Sequence, residues 1–401
     1  MLEYLILITI GVILGTLTGV LPGLHPNTIA FMTLPVYLAT SIDIYIYMAI
    51  LAGLTVSHTF HEFLPAIILG APEADSALSA LPGAEMTMQG EARKAFKYSV
   101  FGGIFALIVL LALFPILYYL ASNYYTLIEP TMPFILLFFL LFIATYAHNI
   151  LHSVLIVVLA GTLGILSFEL SVNSEYVLVA VFSGLFAAPA ILNNLVQNID
   201  FPEQKRSSLS LKRSGKGGFT GFLAGVLAGI VPGIGAAVAT SFLTPLLERG
   251  GRDGDEEFIA GMGGVNTVDI IVSFLALYLI GNPRSGTAVA LQNVAEVGLE
   301  KIIFVAGASL FAAALAIPVS FKTLELFLTF SRKIDFSKIL TAVLVFLIVV
   351  NSYLTGILGI LIFATSACIG WAALKAGERS SCMAVLIAPT ILFLADIGIF
   401  M

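Results

Sequence analysis

From Tyr98 to Leu120 the chain carries no charged side chain, and similar apolar runs occupy 131–147, 152–168 and 176–196. A helix needs roughly 20 predominantly apolar residues to cross ~30 Å of hydrocarbon. These runs are continuous and rich in Leu, Ile and Gly, without the in/out alternation of an outer-membrane barrel. Composition excludes the soluble alternatives. Hydrophobic residues make up 59% of the 401 residues and charged residues only 10%, against about 25% charge in an ordinary soluble domain. A soluble enzyme, a disordered chain and a nucleic-acid binder, which needs a basic face, are all excluded. The net charge of −6 does not set orientation, because Lys and Arg in loops do.

The N-terminus opens Met-Leu-Glu and enters an apolar stretch directly. It lacks a basic n-region and a small-residue cleavage site, so it is expected to be a retained membrane element. Cys368 and Cys382 flank one short loop without metal spacing and are expected to be packing residues.

The chain repeats itself. Gly11–Pro35 aligns without a gap on Gly221–Pro245, pairing Gly11/Gly221, Gly15/Gly225, Leu17/Leu227, Gly19/Gly229, Pro22/Pro232, Gly23/Gly233 and Pro35/Pro245. One residue of slip pairs Gly53/Gly264, Gly70/Gly281, Pro72/Pro283 and Ala77/Ala288. LAGTLGIL at 159–166 then resembles LTGILGIL at 354–361, and APAIL at 188–192 resembles APTIL at 388–392. Between the halves, Asp200–Gly218 is the most polar stretch and reads as a solvated linker; nothing aromatic interleaves with its charges as nucleic-acid binding would want.

With the linker in the cytoplasm, 167–175 and 121–130 fall outside and contain no Lys or Arg. Segments 90–97 (Arg93, Lys94, Lys97) and 321–338 (Lys322, Arg332, Lys333, Lys338) fall inside, as do Lys375 and Arg379. Matched loops of the two halves thus differ in positive charge, as opposite orientation requires. The expected fold is an all-α polytopic membrane protein of two inverted-topology repeats with Pro-Gly-broken re-entrant helical hairpins, a recurrent plan of secondary transporters. Its parts are a first transmembrane repeat (1–199), a cytoplasmic linker (200–218) and a second transmembrane repeat (219–401), in a multi-pass protein of the cell membrane.

Each half's first helix stops at Pro-Gly, at Pro22-Gly23 and Pro232-Gly233, and a second apolar run follows at 28–40 and 235–247. Proline removes a backbone donor and glycine permits a reversal. Such backbone at membrane depth must be buried or line a wet cavity, where its N–H groups can bind an anion. Ser57–Gln89 adds His58, His61, Glu62, Glu73, Asp75 and Glu85; its partner, Asn266–Gln292, adds Asn266, Asp269, Asn282, Arg284, Ser285 and Thr287. Ionisable groups at membrane depth cost about 2.5–3.5 kcal/mol each, which makes such a cluster a functional candidate. His58, His61 and Glu62 match neither zinc-helix motif, so no metal is expected.

The expected substrate-binding set is Pro22, Gly23, His25, Asn27, Thr28, Pro72, Glu73, Pro232, Gly233, Gly235, Pro283, Arg284 and Ser285, with Arg284 as the main positive charge. The expected ion-coupling set is His58, His61, Glu62, Asp75, Asn266 and Asp269. Glu73 and Arg284 occupy matched positions, and either pair with each other or divide substrate and coupling ion between them. No cofactor and no catalytic residue are expected.

Gly15-x-x-x-Gly19-Val-Leu-Pro22-Gly23-Leu24, Ala66–Pro72, Gln89–Ala95, Pro232–Gly235 and Gly281–Thr287 together resemble the large membrane subunit of tripartite tricarboxylate transporters, the TctA family. The resemblance covers most of the chain. It implies uptake of small carboxylates driven by a cation gradient (H⁺ or Na⁺), with a small membrane subunit and an extracytoplasmic binding protein as partners. The family usually has Pro-Gly where this chain has Pro72-Glu73 and Pro283-Arg284, and a small residue where His25 stands. Glu73 and Asp75 would need protons or cations to accommodate a tricarboxylate. Over one short segment, Pro22–Ala30, the chain also resembles a family of polyprenyl-phosphate translocases, which makes a lipid-phosphate flippase the alternative. An intramembrane enzyme ranks last, since Ser57 and His58 are helix neighbours that do not face each other.

Overall fold

Tyr98–Leu120 proves to be the middle of a much longer helix. The computed structural model describes residues 2–395 apart from 22–23, 41, 73–75, 198–200, 206–207, 232–233, 244–251, 282–284, 295–297 and 334. The described residues form α1 (Leu2–Val20), α2 (Pro26–Ala39), α3 (Ile44–His61), α4 (Phe63–Leu69), a 3-10 turn (Ala77–Ser79), α5 (Ala80–Met88), α6 (Ala92–Ile128), α7 (Met132–Thr145), α8 (Ile150–Phe168), α9 (Ser174–Phe182), a π-helical turn (Ser183–Ala187) and α10 (Ala188–Gln197). The chain continues through α11 (Leu211–Ile230), α12 (Ala236–Ser241), α13 (Arg252–Ile280), α14 (Gly286–Gln292), α15 (Leu299–Lys333), α16 (Phe336–Ala376), a 3-10 turn (Arg379–Met383) and α17 (Ala384–Leu394). Among the described residues of this all-helical protein, eight segments are long and apolar enough to cross a membrane. At 37 residues α6 is ~55 Å long, well beyond a hydrocarbon core of ~30 Å.

Small residues set the helix packing. In α1, Gly11, Gly15 and Gly19 lie one turn apart, and a methyl on any of them would strike α3 at Ile50–Gly53, Leu54–Ser57 or His58–His61 respectively. In α11, Gly217, Gly221, Gly225 and Gly229 press in the same way on Glu257, Gly261, Val268 and Val272 of α13. Lipid-embedded helices lack a hydrophobic drive to associate, so close van der Waals approach of this kind supplies the attraction. The repeated glycines are therefore two copies of one seam. Gly70 (φ 66°) and Gly281 (φ 65°), the paired glycines that end α4 and α13, adopt the same left-handed conformation.

The long helices cross between these units. α6 follows the first seam in sequence but packs on the second, with Gly102 against the Ala260 carbonyl and Gly218 of α11 against the Gly102 carbonyl. α15 follows the second seam and packs on α3 of the first. Likewise, α17 lies against α8, and α16 lies against α9, the π turn and α10.

Four sequence expectations need correction. The stretch 200–218 is not a solvated linker throughout, because its second half opens α11 and Gln204 is buried. Gln204 Oε1 accepts from the Ala92 N–H (2.9 Å), its Nε2 donates to the Thr87 carbonyl (2.9 Å), and its own carbonyl takes Arg93 Nη1 (2.7 Å). The α6 start thereby gains a partner for an amide that its own helix cannot satisfy. Arg93 and Lys94 form ion pairs with Glu325 and Glu256, and Arg213 also reaches Glu256 (2.7 Å). The resemblance of 159–166 to 354–361 does not mark equivalent packing: Gly164 meets the Val385 backbone as Gly370 meets that of Leu185, while Gly356 forms a kink (φ 62°, ψ −148°). Cys382 is buried as expected, but Cys368 lies on the exposed face of α16. Finally, Arg379 is buried rather than solvated.

Candidate functional site

The α3–α4 break places the polar cluster. Pro65 has no N–H to offer the His61 carbonyl, so the helix interrupts at Glu62 and restarts at Phe63. The last turn of α3 consequently carries His58, His61 and Glu62, all buried against α1 and α13. Asn266, in the middle of α13, donates from Nδ2 to Glu62 Oε1 at 2.5 Å, joining the two seams. His58 Nε2 lies 3.9 Å from Glu62 Oε2.

Hydrogen-bond partners constrain the two histidines differently. Thr18 Oγ1 lies 3.1 Å from the Gly15 carbonyl and 3.0 Å from His58 Nδ1, so its single hydrogen serves one of the two. His61 Nδ1 lies 2.7 Å from the Ser57 carbonyl, which only accepts. The His61 ring therefore carries hydrogen on Nδ1 and presents a lone pair at Nε2 when neutral. His61 Nε2 and Asn266 Oδ1 are buried without a hydrogen-bond partner among the described residues. The same assignment removes the base that an intramembrane serine enzyme would need: Ser57 Oγ is 3.4 Å from His61 Nδ1, which already holds a proton.

A second node lies where α2 and α14 begin. His25 caps α2, its Nδ1 accepting from the Asn27 N–H at 3.2 Å. Asn27 Oδ1 accepts from the Thr287 N–H of α14 at 3.1 Å. Ser285 caps α14 by accepting from the Ala288 N–H (3.2 Å), and it also bonds Thr287 Oγ1 and Ser273 Oγ, each at 3.1 Å. The His25 and His58 rings, 5.3 Å between centroids, connect this node to Glu62. A polar track thus runs from Ser285 and Thr287 through Asn27, His25 and His58 to Glu62 and Asn266, drawing on both halves of the sequence.

Of the sequence-predicted residues, His25, Asn27 and Ser285 meet in the second node, and His58, His61, Glu62 and Asn266 in the first. Asp269, one turn beyond Asn266, is partly buried. Thr28 belongs to α2, Pro72 is buried just after Gly70, and Gly235 caps α12 with nothing within 4 Å of where a side chain would start. α12 packs on the Ala77–Ser79 turn and on the Arg379–Met383 turn. Pro22, Gly23, Glu73, Asp75, Pro232, Gly233, Pro283 and Arg284 lie outside the described residues. Thr18 and Ser273 belong to the track but carried no distinguishing signal, since single hydroxyls in apolar helices are common. No group of three metal-ligating side chains occurs among the described residues.

Comparison with known proteins agrees with this architecture. The model of the tripartite tricarboxylate transporter TctA family matches residues 5–385. An uncharacterized protein of Methanocaldococcus jannaschii is 32% identical over 411 aligned positions, covering 98% of each chain. An uncharacterized 52.8 kDa protein of Agrobacterium vitis is 35% identical over 98 residues, 24% of this chain and 19% of that protein. No solved structure matches. With a family match spanning nearly its whole length, the chain belongs to the tripartite tricarboxylate transporter TctA family.

Proposed function

We propose that this protein is the large membrane subunit of a cation-coupled uptake system for small carboxylates, working by alternating access with a small membrane subunit and an extracytoplasmic binding protein. Membership of a transporter family makes it a transport protein and not an enzyme. The observation that supports the coupling role is the track itself, in which Glu62, His58 and His61 lie buried where the two seams meet. Titratable groups at membrane depth mark ion and proton pathways. His58 and His61 each have a ring nitrogen that can take a proton, and Glu62 can take a proton or join oxygen ligands to Na⁺. Substrate is assigned to the node formed by His25, Asn27 and Ser285, together with Arg284 and the two Pro-Gly breaks. The repeats are assigned opposite orientations, with residues 200–218 on the cytoplasmic side of the cell membrane.

The test is uptake of radiolabelled citrate or succinate into proteoliposomes containing the protein and its partners, under an imposed pH or Na⁺ gradient. Gradient-dependent accumulation is expected. Glu62→Gln should lower it by about tenfold or more, the worth of one charge-assisted contact. Accumulation by Glu62→Gln at the wild-type level under both gradients would remove Glu62 from the coupling mechanism. Binding of polyprenyl phosphate without any binding of carboxylates would favour the flippase reading.

A further inference from the structure

The turn after α16 reads Glu378-Arg379-Ser380-Ser381, a sequence suited to water, yet it packs inside the protein: Glu378 is 5%, Arg379 7% and Ser381 1% exposed. Glu378 Oε1 accepts from the Asn149 N–H (2.8 Å), and Ser381 Oγ meets Ser153 Oγ (2.7 Å). Arg379 remains incompletely satisfied. Its Nη2 donates to the Phe186 carbonyl (3.1 Å), and its guanidinium lies 5.4 Å from the centre of the Phe186 ring. Nε and Nη1 are buried with no acceptor among the described residues. Nη2 uses one of its two hydrogens, so one bidentate edge of the fork keeps both of its hydrogens. Arginine does not deprotonate in proteins, and a buried cation is costly unless an anion compensates it. Glu85 senses the charge of Arg379 but is itself an exposed side chain on α5.

The surroundings suit a group that is paired for part of a cycle. Phe186 belongs to the π-helical turn, a distortion frequent at functional sites. The Arg379–Met383 turn touches α8 of the first half and α12 of the second, so a displacement of one half against the other would open it. Arginine's planar fork matches a carboxylate in two parallel hydrogen bonds.

We propose that Arg379 is a binding group for a carboxylate of the transported anion, closed off in the conformation described here and filled in another, with Phe186 holding the guanidinium in place. This rests on the carboxylate-transport reading and adds to it a site that lies apart from the His25–Ser285 node.

The experiment measures citrate and inorganic phosphate binding to the purified full-length protein by isothermal titration, with wild type, Arg379→Lys and Arg379→Gln compared. Wild type should bind citrate; Arg379→Gln should weaken it about 10- to 100-fold, and Arg379→Lys, lacking the fork, should recover only part of the loss. Unchanged citrate affinity in a folded Arg379→Gln variant would overturn the proposal and leave Arg379 as a cap for Phe186. Phosphate bound in preference to citrate would overturn the carboxylate assignment. Should the variants not fold, phenylglyoxal modification of wild type, read at Arg379 by peptide mass spectrometry, decides: protection by citrate supports the site, and citrate binding without protection refutes it. Wild-type protein that binds no carboxylate, citrate or succinate, with its partners present would overturn the transport reading and this inference with it.

Discussion

Glu62 and Asn266 form the contact on which the polar track turns. Both are buried, and the amide donates to the carboxylate at 2.5 Å. Glu62→Gln keeps the shape and removes the titration, so its expected effect is on gradient coupling and little on folding. Asn266→Leu removes the donor and leaves the carboxylate without it. That loss corresponds to about 1.5–3 kcal/mol for a hydrogen bond to a charged group, a drop that thermal unfolding in detergent should register. Equal thermal stability of Asn266→Leu and wild type would show that the 2.5 Å contact contributes nothing. Gln204 is the second residue whose role is local and measurable. Gln204→Ala leaves the Ala92 amide and Thr87 carbonyl without their partner, at an expected 1–2 kcal/mol or about that, the range of a lost helix N-cap.

At the scale of elements, the glycine seams make the sharpest prediction. Gly15 of α1 faces the Leu54 carbonyl and Ser57 of α3, and Gly225 of α11 faces Val265 and Val268 of α13. Backbone cannot yield as a flexible side chain does, so Gly15→Val should part α1 from α3 and cost more than the about 1–3 kcal/mol of ordinary overpacking. Gly307 of α15 has nothing within 4 Å of its Cβ position. Gly307→Ala should therefore be neutral or slightly stabilising, by up to about 1 kcal/mol, because it raises helix propensity. Expression and thermal stability of the two variants, compared side by side, test whether the seams hold the fold. These seams were legible in the sequence because a glycine repeat at helical spacing has one physical use between apolar helices. The α3–α4 break was less legible, since Pro65 interrupts the helix at Glu62, three residues earlier, and the internal repeat offers no matching proline in α13. The exchange of α6 and α15 between seams was not legible at all. Apolar faces that meet lipid and those that meet another helix have the same composition, so periodicity does not distinguish them.

The positive-inside rule, applied to the whole molecule, worked on loops by counting Lys and Arg without knowing which were solvated. It placed Lys375 and Arg379 together at one membrane face; the structure keeps Lys375 exposed, hydrogen-bonded to Asn193 at 3.0 Å, and buries Arg379. The charge contrast between matched loops therefore loses one member after α16 but keeps Lys375, while residues 167–175 hold Glu169 and Glu175 and no basic residue. Opposite orientation of the halves is what the remaining charges lead one to expect. It is best tested at Ser171 and Lys375, both exposed, in place of the half-buried Ser380. Cys368 is itself exposed, so the background must carry Cys368→Ser, with Cys382→Ala as a precaution against slow labelling. In intact cells, a membrane-impermeant maleimide should label Ser171→Cys and leave Lys375→Cys unlabelled until the membrane is opened. Labelling of both from the same side would refute the inverted arrangement.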